Sequence, residues 1–109
     1  MAYSEELADR VRKVMKGKRG LSEKKMFGGL SFLMRGRMCC GVLGEKLVIR
    51  VSTEEYDNVL EHRHVAPMDF TGRALKGLVY VLPGGTKTDA MLKKWVGRSV
   101  AFARKPQTK

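Results

Sequence analysis

The residues of this chain whose types and spacing could do chemistry are few. They are the adjacent pair Cys39-Cys40, the pair His62 and His64, the stretch Pro83-Gly84-Gly85-Thr86-Lys87-Thr88, Arg73, and several runs of Lys and Arg. Two neighbouring thiols can share one metal ion or close a disulfide only if both leave the strand on the same face. Successive side chains of a regular strand alternate, so Cys39 and Cys40 are expected to diverge and to pack as small apolar residues. His62 and His64 fall at a helix end, where the dipole favours an imidazole. A zinc site there would need two further ligands, with Glu61 or a cysteine recruited by the fold. No metal and no cofactor is therefore expected.

Pro83 to Thr88 joins a strand to a helix, and backbone amides at such a place can hold a phosphate with Lys87 beside them. The spacing is not that of a nucleotide P-loop, and helix capping explains it more simply. Arg73 lies in the one long irregular stretch, in Phe70-Thr71-Gly72-Arg73. Its fork suits a carboxylate or a phosphate, and an internal ion pair with Asp69 or an acidic helix residue is the first expectation. No nucleophile–base pair and no carboxylate pair stands out, so no catalytic residue is expected and the chain reads as a non-enzyme.

The charge is the stronger signal. The 109 residues hold 22 Lys and Arg against 11 Asp and Glu, a net +11. The cations crowd the stretches 10–25 and 87–109, while Glu54, Glu55, Asp57 and Glu61 gather in the middle. Such a balance draws acidic partners or nucleic acid. Arg12, Lys13, Lys16, Lys18, Arg19, Lys24, Arg73, Lys94 and Arg98 are the candidate contacts. The simpler reading of the first five is the solvated face of an amphipathic helix and its exit loop. No helix-turn-helix, RNP aromatic motif or zinc finger is present, so sequence-specific readout is not expected, and non-specific DNA or RNA attraction remains as an alternative.

These residues need elements to position them. Ser4 caps a first helix with Leu7, Val11, Val14 and Met15 on one stripe and Arg12, Lys13 and Lys16 opposite. Gly17 and Gly20 end it, and 17–24 reads as a loop. A strand over Lys25–Met34, bent at Gly28-Gly29, is followed by strands at Arg37–Leu43 and Lys46–Val51, with turns too short for anything but antiparallel neighbours. Gly in a strand marks a bulge or a close backbone approach. Leu30, Phe32 and Met34 share one face, as do Leu47, Ile49 and Val51, with Val48 and Arg50 opposed. Ser52 and Glu55 form a capping box for a middle helix carrying Tyr56, Val59 and Leu60 inward. Residues 64–77 read as irregular, Leu78–Leu82 as a fourth strand, and Thr86–Asp89 as a second capping box. The last helix is expected to bury Leu92, Trp95, Val96, Ser99, Phe102 and Ala103 and to expose Lys94, Arg98 and Ala101. Trp95 should anchor it. The whole is α+β: an antiparallel meander of three strands plus a further strand, packed with N-terminal, middle and C-terminal helices. One domain over 1–104 and a loose basic tail over 105–109 are expected.

The stretch Lys25-Met26-Phe27-Gly28-Gly29, the turn at Gly36, the strand Leu47–Val51 and the run Pro67–Arg73 into Gly77–Val81 resemble the N-terminal domain of the TfoX (Sxy) family of bacterial competence regulators. Met26, Phe27, Gly28, Gly29 and Trp95 are its structural signature here. The resemblance implies a compact α+β domain with no known cofactor and a role in regulating gene expression, since TfoX proteins assist a cAMP receptor protein at competence promoters. The competence regulators carry a second, C-terminal domain where this chain ends, so it looks like the stand-alone form. The expected role is a regulatory module acting through a transcription-associated protein partner in the bacterial cytoplasm, away from membranes, with a homodimer as one oligomeric option.

Overall fold

The computed structural model describes residues 3–17, 20–26, 28–67 and 77–104. Helix α1 (Glu5–Met15) starts where Ser4 accepts the Leu7 amide at 3.1 Å, with Glu5 and Glu6 in the first turn beside the helix dipole. Strands β1 (Leu21–Met26), β2 (Gly29–Met34), β3 (Arg37–Leu43) and β4 (Lys46–Arg50) follow, then α2 (Thr53–Leu60), β5 (Val65–Pro67), β6 (Leu78–Val81), a 3₁₀ turn (Pro83–Thr86) and α3 (Asp89–Arg104). The sheet has six antiparallel strands in the order β1-β2-β3-β4-β6-β5. The expected α+β class and meander hold, and the meander is longer than expected.

Three corrections concern elements. Residues 21–34 form a hairpin, not one bent strand after a loop. Met26 pairs with Gly29, and Gly28 at φ +76° lets the chain reverse. The 17–24 segment gave no strand signal because β1 is an edge strand whose Ser22, Glu23, Lys24 and Lys25 are all exposed. β5 arises within the stretch read as irregular; it is three residues long, lies at the other edge and ends on Pro67, where a missing amide costs no ladder bond. The cap of α3 is Thr88, whose hydroxyl accepts the Met91 amide at 3.1 Å, while Thr86 belongs to the 3₁₀ turn and bonds the Pro83 carbonyl.

The core lies between one face of the sheet and the helices. Leu30, Phe32, Met34, Val42, Leu47, Ile49 and Val51 meet Leu7, Val11 and Met15 of α1 and Leu92, Trp95, Val96 and Val100 of α3. The expected alternation on β2 and β4 is thus found. Val100 is a buried residue the helical stripe had not included, and Phe102 is half-buried. Val48 and Tyr80 form a smaller cluster on the opposite face. Gly29 sits so close to β3 that a Cβ there would lie 2.5 Å from the Val42 carbonyl oxygen, the close backbone approach expected of this glycine.

One irregularity governs the centre. Phe32 pairs with Cys40, but Leu33 pairs with Met38, so Cys39 is an extra residue in β3. Such a bulge bends the strand and breaks the ladder locally. β3 and β4 pair only as far as Cys40 and Ile49. Beyond that point the Arg50 amide donates to Ser99 Oγ of α3 at 3.1 Å, and the same hydroxyl donates to the Arg50 carbonyl at 3.4 Å. Ser99 therefore takes the place of a missing sheet partner, which is why a polar residue is fully buried on this helix. No described helix is long and apolar enough to cross a membrane.

Candidate interaction groove

The candidate cations are not equivalent once folded. Arg12 leaves α1 toward β1 and is held on both sides. Its Nε and Nη2 donate to Glu23 Oε2 and Oε1 at 2.9 and 3.1 Å, and its Nη1 donates to Asp9 at 2.6 Å. The hydrogen bonds to Glu23 and then Asp9 push its pKa further up, so the guanidinium stays charged and its field is spent on these two carboxylates. Arg98 is half-buried, not exposed as expected. It lies 5.6 Å from the Trp95 ring centroid and 3.7 Å from Glu55 Oε1, which ties α3 to α2. Glu55 thus faces Arg98, while Ser52 accepts the Glu55 amide at 3.2 Å as the cap of α2. Lys13, Lys16, Lys24 and Lys94 are exposed. Lys18, Arg19, Phe27 and Arg73 lie outside the described residues, as do the expected Asp69–Arg73 pair, the tail 105–109 and the side chains of Met26 and Ala103.

Where α1 and α3 lie side by side they leave a groove of about 320 Å³ lined by Arg10, Lys13, Val14, Asp89 and Lys93. Arg10 comes from the half-buried flank of α1 and reaches Asp89 at 3.4 Å. Asp89 is almost fully exposed, so that pair is weak. Three cations around one acid and one apolar side chain make a cationic slot with a small greasy floor. Arg10 and Lys93 were not among the residues singled out from sequence. Their signal was the packing of the first helix on the last, which only the fold supplies.

The other candidate chemistry is rearranged. His62 turns edge-on to Trp95, with ring centroids 5.1 Å apart. His64 packs on Gly84, where a Cβ would come within 2.6 Å of its ring, and its carbonyl accepts the Leu82 amide at 2.7 Å. The two imidazoles thus serve different neighbours. The Gly85 amide of the suspected phosphate cradle donates to the Leu82 carbonyl at 2.8 Å. Among the described residues no cluster of three or more His, Cys, Asp or Glu could hold a metal. The expected divergence of Cys39 and Cys40 is overturned: the bulge turns both side chains into the main core, where each is fully buried. Trp95 is buried in that core, as expected of an anchor.

An antiparallel sheet backed by terminal helices, with a cationic slot between those helices, defines a small α+β domain. The family model of the TfoX N-terminal domain matches residues 14–103, and the chain belongs to that family, which is known in competence and regulatory proteins. No curated protein and no solved structure matches the chain.

Proposed function

We propose that this chain is a non-enzymatic regulatory module that docks on a protein partner through the α1–α3 groove, the partner supplying a short acidic segment. The observation that carries the reading is the groove itself, with Arg10, Lys13 and Lys93 around Val14. A slot of this size takes one or two side chains, and carboxylates satisfy its cations while the Val14 floor takes an apolar neighbour. Membership of a family known in regulatory proteins supports the same reading and makes a transcription-associated, cytoplasmic partner the natural class. Non-enzymatic action is supported by the fate of the titratable residues, since His62 and His64 point to different neighbours and both thiols are buried.

The test is affinity capture from a bacterial lysate, with and without nuclease, using the native chain and a variant carrying Arg10→Glu, Lys13→Glu and Lys93→Glu. A protein captured in both nuclease conditions by the native chain and lost with the variant supports the proposal. Capture indifferent to all three substitutions overturns it.

A second reading is a weakly specific nucleic-acid binder working through basic helix faces, favoured by the net +11. Its mark would be an affinity for duplex DNA that falls steeply with salt and is indifferent to sequence.

A further inference from the structure

Three sulfur-bearing side chains share the core beneath the last turn of α1. Cys39 and Cys40 are consecutive, yet the bulge in β3 sends both side chains to the inner face, and both are fully buried. The Cys40 Sγ lies 3.7 Å from Sδ of Met15, itself fully buried. Neighbouring thiols on a regular strand could not meet in this way, so the meeting is a product of the one extra residue at position 39. The surroundings are apolar: Cys39, Cys40 and Met15 belong to the main core.

Two thiols and a thioether form a soft donor set. Such sets suit monovalent copper and reject calcium and magnesium, which want carboxylate, carbonyl or water. Copper(I) accepts two or three sulfur ligands and needs no water in its shell, which suits a dry site. Zinc would require four ligands, and no further His, Asp or Glu gathers here among the described residues.

We propose that Cys39, Cys40 and Met15 form a binding site for a soft monovalent metal ion, with copper(I) as occupant. Each copper–thiolate bond that forms releases one thiol proton to solvent. The Met15 thioether adds its lone pair without proton loss, and copper remains in the monovalent state throughout. The same three side chains fill the core when no ion is bound.

The experiment is an anaerobic titration of the full chain with copper(I) against a chromogenic copper(I) chelator, with near-ultraviolet circular dichroism recorded at each point. One equivalent retained by the folded chain is expected, with zinc not retained under the same conditions. Met15→Leu, close in volume and so expected to fold, should weaken retention by about tenfold or more. Cys39→Ala with Cys40→Ala should abolish it. The proposal is overturned if the folded native chain retains no copper(I), or if Met15→Leu binds as tightly as the native chain. It is equally overturned if retention survives loss of both cysteines, or appears only as the native near-ultraviolet spectrum disappears.

Discussion

Removing one buried oxygen, Ser99→Ala, tests how the sheet centre is held. The hydroxyl serves both backbone groups of Arg50, accepting from the amide at 3.1 Å and donating to the carbonyl at 3.4 Å. The longer bond is weak, so the amide carries the effect. An amide left without a partner costs about 1–3 kcal/mol when desolvated. The Arg50 side chain is exposed, so water has partial access and the lower part of that range applies, about 1–2 kcal/mol. No β3 residue can substitute, because pairing with β4 stops at Cys40 and Ile49. For a domain of this size about 1.5 kcal/mol lowers the melting midpoint by roughly 6 °C. Denaturant melts give the free energy, and amide hydrogen exchange locates it. Exchange at Arg50 should quicken beyond what the global loss of stability explains, while Leu47 and Ile49 follow the global change. An unchanged midpoint together with unchanged Arg50 exchange would refute the claim that Ser99 replaces a sheet partner.

Other substitutions probe other parts. Trp95→Ala should cost about 3–5 kcal/mol and leave the chain largely unfolded, whereas exposed Lys94→Ala should shift stability by less than about 0.5 kcal/mol; a native-like melt of Trp95→Ala would make that helix face an interface instead of core. Gly29→Ala forces β2 and β3 apart, because its Cβ would meet the Val42 carbonyl at 2.5 Å, and a loss of about 1–3 kcal/mol is expected by urea melt; full stability would mean the register is wrong. Arg12→Ala should cost under about 1 kcal/mol, with the loss shrinking at high salt, since its partners are exposed or half-exposed; a large, salt-independent loss would contradict this. Cys40, its folded pKa raised above the ordinary 9.0, favours folding fully below that value, so stability should decline as pH rises past about 9 and the unfolded thiol ionises. A flat alkaline profile, or rapid native-state reaction of both thiols with a disulfide reagent, would show that the pair is not sealed in the core.

The sequence was readable where side-chain periodicity was set by burial on one face. Leu30, Phe32 and Met34, then Leu47, Ile49 and Val51, alternate because one side of the sheet is core, and the caps Ser4 and Ser52 announce their helices by chemistry alone. It was silent where a segment's conformation depends on distant partners. β1 carries exposed charges and exists because β2 pairs with it; β5 is too short to show a period. Cys39 misled for a related reason, since alternation presumes regular pairing and nothing local in Met38-Cys39-Cys40-Gly41 announces an extra residue. The candidate site was half legible. Lys13 could be singled out by its helix face, but Arg10 and Lys93 lie far apart in the chain and meet only because α1 and α3 pack together.

The extra residue at position 39 also resets the parity of β3. Counting down by twos from Val42 and Cys40 would put Met38 inside and Arg37 outside. In the folded chain Met38 joins Val48 and Tyr80 on the far face, and Arg37 lies 6.0 Å from the centroid of the Phe102 ring, with Arg50 at 5.6 Å from the same ring. One backbone unit thus works as a reading-frame shift for side chains. Substitutions at 39 or 40 disturb the sulfur cluster where they occur. Losing one of the two cysteines outright would let β3 pair regularly, with the remaining cysteine opposite Phe32 and with Met38 and Arg37 still on the faces they now occupy. A loss of length at this point is therefore absorbed by removing the bulge, and what it takes from the core is one of the two buried thiols.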